Sequence, residues 1–375
     1  GSDGSRGIRD VHDAGGLVIV QRPESAQFDG MPKSAEDTGV ADLLLAPEEI
    51  PEHLVANAAR IRDLVPLPSA DLVPDGAGSI FRLLRDEYGI DFSYYKPNTV
   101  GRRIERRQAM AQLPRLDEYA ARLRSDPSER NALYRDLLIG VTHFFRDPEA
   151  FGRLERDVLP ELLARRTEDD ELRIWVAGCA TGEEAYSLAI LLDERMRLLS
   201  RRLNVKIFAS DAHRSSLEVA SAGVYQEEQL ADVTPSRLER YFVKRADGWH
   251  VSSGLRQMIV FTVHNVIRDA PFTRLDMITC RNLLIYFQQP VQKRVLSLFH
   301  FGLRTGGILF LGPSEGTGDL SDEFEDVDGR WKIFRKRRDV RLPADLRQPL
   351  PPALPGRTTT LPQRVTGQTP ERYHR

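Results

Sequence analysis

The chain has 375 residues, enough for two or more domains with separate cores. Its 41% hydrophobic and 29% charged content is that of a soluble globular protein, and a net charge of -2 argues against whole-molecule attraction to nucleic acid while leaving local basic patches open. Two cysteines, Cys179 and Cys280, rule against a disulfide framework and point to a reducing cytoplasm; no apolar run approaches the roughly 18 residues that span a bilayer, and the first residues carry no signal-peptide pattern.

In chain order, residues 1–63 read as a short α/β piece, with a helix after Asp3, strands at 17–20 and 43–45, and a helix from Pro51. Residues 64–78 are rich in proline and glycine and read as a linker. From 79 to 147 the pattern is helical, with Ile80, Leu83, Leu84 and Tyr88 at helix spacing and amphipathic runs at 116–123 and 132–138. From 148 to 337 helices and strands alternate, which predicts an α/β fold with a doubly wound, mostly parallel sheet. The expected strands are 172–177, 205–210, 258–263, 275–280, 307–311 and a last one at 331–335. A hairpin turning at Asp247-Gly248 marks a small β insertion at about 225–256. Residues 338–375 hold seven prolines and no periodicity, as a disordered linker does.

Four segments carry candidate chemistry. Arg102, Arg103, Arg106 and Arg107 fall at i,i+4 spacing on one helix; this is either a solvated face or, because like charges so spaced repel, a contact for an anionic partner. Residues 138–147 bring Thr142, His143 and Arg146 to the junction of the helical and alternating regions, either as a helix-end aromatic anchor or as a lid over a pocket. Residues 173–187 read as strand, glycine loop and helix, and 205–211 as a second strand ending in Asp211, which puts a small-residue turn and an acid at the carboxyl ends of neighbouring strands. No Gly-Lys-Ser/Thr follows Gly182, and Glu183 and Glu184 stand where a pyrophosphate would sit, so an adenosine ligand with a cationic centre, S-adenosylmethionine, fits better than a nucleotide. The strand 275–280 runs into Arg281 and Asn282, polar groups at a ligand-binding edge, with Asn282 alternatively a helix cap and Tyr286 a packed aromatic. His143, His213 and His264 lack metal-ligand spacing, and no metal is expected.

Taken in order, the basic helix at 102–107, Thr142 to Arg146, Gly178 to Ser187, Phe208 to Asp211, His264-Asn265-Val266, Cys280-Arg281-Asn282 and Tyr286-Phe287 resemble the chemotaxis receptor methyltransferases, the CheR family. The resemblance implies a class I S-adenosylmethionine-dependent methyltransferase fold behind an all-helical, receptor-binding domain. It implies a cytoplasmic enzyme, not inserted in the membrane and not acting on nucleic acid, that esterifies glutamates on the acidic helical bundle of methyl-accepting receptors. Carried over by position, Thr142 and Arg146 would touch the methionine part of the cofactor, Glu184 its ammonium group, Asp211 the ribose, and Asn265 and Val266 the adenine, with Gly178 in the loop. Arg281 and Asn282 would line the transfer centre, Arg146 and Tyr286 would orient the incoming carboxylate, and the four arginines would grip the receptor. Gly140 stands where some members have an asparagine, and the insertion is shortened around its hairpin.

Residues 1 to about 55 are similar instead to the end of a CheB-family methylesterase, through Gly15 to Gln21, Pro23 to Ala26 and Phe28 to Pro32, with Asp3 on the triad aspartate. Without the upstream serine and histidine this remnant is expected to be inactive, as in a piece cut from a methylesterase and methyltransferase fusion. The other readings are a nucleic-acid methyltransferase using the arginine helix on phosphates, and a non-catalytic cofactor-binding scaffold.

Overall fold

The computed structural model describes residues 18–36, 43–52 and 77–340, without 139, 141 and 168–169, and a few isolated positions before 55. Asp3, most of the two helices expected after Asp3 and from Pro51, the linker up to 76 and the proline-rich stretch from 341 lie outside the described residues. Near the amino terminus, β1 (Ile19–Gln21), α1 (Gly30–Glu36) and β2 (Leu43–Leu45) follow one another, and the two strands pair in parallel with Ile19 opposite Leu43.

The helical region starts earlier than expected. Ala77 and Gly78 open α2 (Ala77–Tyr88), because Ala77 is fully buried and extends the stripe of Ile80, Phe81 and Leu84. It is followed by α3 (Pro97–Met110), α4 (Leu116–Ser125) and α5 (Pro127–Leu137). Pro97 and Pro127 stand at first helical positions, where no N–H is needed, and Asp126 caps α5 by accepting from the N–H groups of Ser128 and Glu129 at 3.0 and 3.1 Å. Then α6 (Pro148–Arg153) runs through a π turn at Leu154–Val158 into α7 (Leu159–Ala164).

The alternating region supplies β3 (Glu171–Ala177), α8 (Glu183–Leu198), β4 (Asn204–Asp211), α9 (Arg214–Ala222), β5 (Val224–Tyr225), α10 (Pro235–Tyr241), β6 (Phe242–Arg245), β7 (Gly248–Val251), α11 (Ser253–Met258), β8 (Ile259–Val263), β9 (Leu275–Cys280), α12 (Gln289–Gly302), β10 (Leu303–Leu311), β11 (Phe324–Asp328) and β12 (Ile333–Lys336). Seven strands form one sheet in the order β11-β12-β10-β9-β3-β4-β8, parallel except that β12 runs antiparallel between β10 and β11. This is the doubly wound sheet expected. Strand order reverses at β3, so a crevice opens at the carboxyl ends of β3 and β9. The insertion is a separate sheet ordered β5-β7-β6, and its turn is Ala246-Asp247 rather than Asp247-Gly248, since Gly248 pairs with Arg245 as the first residue of β7. The last strand begins at Ile333, not 331, and β11 was not expected at all: its Phe-Glu-Asp-Val-Asp sequence is the charged, half-exposed pattern of a protected sheet edge rather than an apolar run.

Period-two alternation along β3 divides the core. Ile174 and Val176 join Leu159, Leu163 and Ile190 on one face, while Trp175 and Ala177 join Ile278, Leu309 and the buried residues of α2 to α5 on the other. The helical unit and α12, whose Phe299 ring lies 5.2 Å from that of Trp175, therefore share one cluster on this face of the sheet, and β9 is buried at all six positions.

Candidate functional site

Gly178 leaves β3 at φ 76°, and a Cβ there would lie 2.8 Å from the Leu283 side chain, so the turn requires glycine on both counts. The N–H groups of Gly178 and Cys179 donate to the Ser210 carbonyl at 2.8 and 3.0 Å, folding the loop across the end of β4. That fold aims the Ala180 N–H at Asp211 Oδ2 (2.9 Å), while the His213 N–H donates to Oδ1 (2.8 Å). Burial pushes the Asp211 carboxyl above its ordinary value, and these N–H groups oppose the shift. Each oxygen keeps a further lone pair, which suits the carboxylate to a vicinal diol.

The two glutamates that open α8 diverge. Glu183 is buried and accepts from the Thr181 hydroxyl at 2.7 Å, while Glu184 accepts from Thr279 Oγ1 and faces Arg281 Nη1 at 3.6 Å. Arg281 donates to Asp147 Oδ2 (2.5 Å) and to the Arg146 carbonyl (3.1 Å), with its guanidinium 4.7 Å from the centre of the Phe310 ring. Arg146 stands between two non-glycine residues in the left-handed region, Phe145 at φ 52° and Asp147 at φ 61°. Such backbone persists only where its surroundings hold it. Here the Phe145 N–H donates to Ser187 Oγ on α8 at 2.9 Å, and Arg281 grips the other side. Beyond Asn282, itself at φ 60°, the chain reaches Tyr286, whose carbonyl accepts from the Lys96 N–H at 2.8 Å; Gln288 N–H donates to the Tyr94 carbonyl at 3.0 Å. This seam ties the loop after β9 to the helical unit.

These elements enclose a cleft of about 840 Å³, its mouth included, between the helical unit and the sheet edge. Thr142, Arg146, Gly178, Glu184 and Asp211 line it, together with Arg281, Asn282 and Tyr286. Asn265 and Val266 do not. Val266 is buried, and the side-chain Oδ1 of Asn265 is taken by the Ile267 N–H at 3.0 Å in a turn after β8, although the Asp211 carbonyl accepts from the neighbouring His264 N–H at 3.0 Å. Lining residues that sequence reasoning missed are Tyr95 from the helical unit, and His213 and Ser216 at the start of α9. The only signal for the last two was their position just past a predicted strand end.

The structure does not present the four arginines as one surface. Arg103 is buried and donates to the Asp136 carbonyl at 2.6 Å; Arg107 forms a forked pair with Glu129 at 3.0 and 2.6 Å, and Tyr119 OH donates to the same carboxylate. Arg106 is half-buried, and burial lowers its pKa. Arg102 alone of the four is exposed. The reason is register: Arg103 and Arg107 flank the buried stripe of Val100 and Ile104, so they face α5.

Phosphate-free adenosine chemistry fits these groups. The Glu184 and Asp211 carboxylates line the cleft beside Arg146 and Arg281, and Glu183 and Glu184 occupy the first turn of α8, where a phosphate would otherwise be held. No group of three His, Cys, Asp or Glu side chains among the described residues could hold a metal, and no described helix is long and apolar enough to cross a membrane.

The chain matches the family model of the CheR methyltransferase SAM-binding domain over residues 140–333, that of the CheR methyltransferase all-alpha domain over 78–138, and that of the CheB methylesterase over 1–54. It is 34% identical over 260 residues to the putative methyltransferase Cher3 of Pseudomonas putida, covering 67% of this chain and 92% of that protein. It is 33% identical over 255 residues to chemotaxis protein methyltransferase 1 of Pseudomonas aeruginosa, covering 66% and 93%. An uncharacterized 104.1 kDa protein of Rhodobacter capsulatus is 40% identical over 383 residues, and the match spans 94% of this chain but only 40% of that protein.

Proposed function

The chain belongs to the CheR methyltransferase family, and we propose that it uses S-adenosylmethionine to form methyl esters on glutamate side chains of chemotaxis-type receptor cytoplasmic domains, acting in the cytoplasm. When bound, that cofactor supplies an electrophilic methyl group on a cationic sulfur. In this reading Asp211 accepts from the ribose hydroxyls and Glu184 from the ammonium group. Thr142, Gly178, Arg281 and Asn282 complete the pocket for the amino-acid part.

The observation that carries the proposal is that Arg146 and Tyr286 share one cleft with the Glu184 and Asp211 carboxylates. A glutamate with a pKa of about 4.3 is already ionised at neutral pH, so no general base is needed. The site must strip water from that carboxylate and aim it. The Arg146 guanidinium and the Tyr286 hydroxyl hold one oxygen by charge-assisted hydrogen bonds and leave the other directed at the methyl group. Holding the reactants in this way contributes several kcal/mol to lowering the barrier. With Arg103 and Arg107 turned inward, Arg102 is the exposed member of the four that remains for an acidic partner.

The test is incubation with methyl-labelled cofactor and receptor membranes, followed by mild base. Base-released label is expected; base-stable label on RNA or amines, or cofactor binding with no transferred label, overturns the proposal. Arg146→Ala is expected to lower transfer by ~100-fold or more while cofactor still binds. Undiminished turnover in that variant removes Arg146 from the role.

A further inference from the structure

Past the end of β10 the chain makes a tight turn in which the Glu315 N–H donates to the Gly312 carbonyl at 3.0 Å, bringing the Glu315 side chain back toward the sheet. The residue is 7% exposed, and its carboxylate meets backbone rather than a cation. Oε2 accepts from the N–H groups of Gly312 (2.7 Å) and Asn282 (3.0 Å), and Oε1 accepts from that of Ile285 (3.3 Å). Burial raises the Glu315 pKa, and these N–H groups oppose the shift. Two of the three donors belong to the loop that follows β9, which presents Arg281, Asn282 and Tyr286 to the cleft. Glu315 itself does not line the cleft. The approach is close enough that a Cβ on Gly312 would fall 2.8 Å from both the Asn282 nitrogen and Glu315 Oε2.

A buried carboxylate without a charged partner is costly, and it is retained where several fixed hydrogen bonds stabilise it. The bonds act in both directions: they hold the carboxylate, and the carboxylate holds Asn282 at φ 60°, a conformation that an asparagine tolerates but does not enforce. With the backbone so fixed, Asn282 stays in the wall of the cleft.

We infer that Glu315 is a positioning residue of the cofactor cleft, which acts through the backbone of Asn282 and Ile285 to set the loop that carries Asn282 and Tyr286. The inference rests on the cofactor-binding part of the function proposed above.

The experiment uses the full chain and isothermal titration with S-adenosylmethionine, which needs no receptor. Glu315→Gln keeps the volume but replaces one acceptor oxygen with an NH₂ that opposes a backbone N–H. The dissociation constant is expected to rise about tenfold, Asn282→Ala to raise it by a similar factor, and the double variant to bind no worse than about the weaker single variant. A carboxylate that only stabilises the fold would lower the melting temperature, leave the affinity of the folded fraction unchanged, and give factors that multiply in the double variant; either of the last two results overturns the inference. Hydrogen exchange of the cofactor-free wild type is independent of how the variant folds. The Asn282 and Ile285 amides are expected to be protected, and exchange at the rate of an unstructured peptide overturns the inference. A wild type that binds cofactor but esterifies no glutamate defeats the substrate assignment and leaves Glu315 in place.

Discussion

A guanidinium whose side chain is 1% exposed needs its charge matched, and Arg281 is matched by Asp147 at 2.5 Å and Glu184 at 3.6 Å while it rests on Phe151 and Phe310. Arg281→Ala would leave two carboxylates facing one another and release the turn at Arg146. The expected cost is about 3–5 kcal/mol, read as a lower urea midpoint; a loss below about 1 kcal/mol would mean that water replaces the guanidinium. Asp211 has the opposite economy. Its folded pKa is raised by burial, so the folded state binds the proton more tightly than the unfolded chain does. Its contribution to stability is therefore full below the ordinary carboxylate pKa of 3.8 and is lost as pH rises through the raised value. In melts of cofactor-free protein from about pH 4 to about pH 7, the wild type should lose ground to Asp211→Asn as pH rises. Cofactor affinity should move the other way, strengthening as the carboxylate ionises. A melting difference independent of pH would show that the N–H groups of Ala180 and His213 fully offset burial.

Within α3, neighbouring arginines have separate jobs. Arg107, paired with Glu129 and close to Asp136, holds α5 against α3, and Arg107→Ala should cost about 2–4 kcal/mol. Arg102→Ala should change stability by less than about 0.5 kcal/mol and instead weaken binding to an acidic receptor bundle. Equal melting losses in the two variants would contradict the observed register. The helix was legible in the sequence, but its orientation was not, because counting arginine spacings ignores Val100 and Ile104, which decide the buried side. The central strands were legible for the converse reason: enclosed on both faces, they are apolar runs, and the residues at or just past their ends, Gly178, Asp211 and Arg281, meet at the crevice that strand order creates. β11 was hidden by its acidic edge sequence. Glu315 was hidden because a glutamate after Gly312-Pro313 looks like a solvated turn, and only the return of the chain toward Asn282 gives it backbone donors.

Across the whole molecule, one apolar cluster joins Ile80, Ile104, Tyr119 and Leu133 of the helical unit to Trp175, Ile278 and Leu309 of the sheet. Removing residues 77–138 would take away the helical unit's share of that cluster and leave α12 as the remaining cover. Residues 140–340 expressed alone should aggregate or bind a hydrophobic dye such as ANS, since an exposed patch of this kind is not tolerated in a soluble monomer. A monomeric fragment with a sharp melt would show that the sheet can repack without its cover.

The seam between the helical unit and the loop after β9 spans an unusual stretch of chain: Gln288 Nε2 donates to the Ser93 and Tyr95 carbonyls across 195 and 193 residues. During synthesis α2 to α5 emerge first, and the loop after β9 that completes the cleft reaches Gln288 only 195 residues after Ser93. Their apolar face must wait, uncovered, through that interval. The nascent chain is thus most exposed to misassociation just before the ribosome delivers β9, and the pocket wall containing Tyr95 and Tyr286 is among the last parts of the molecule to close.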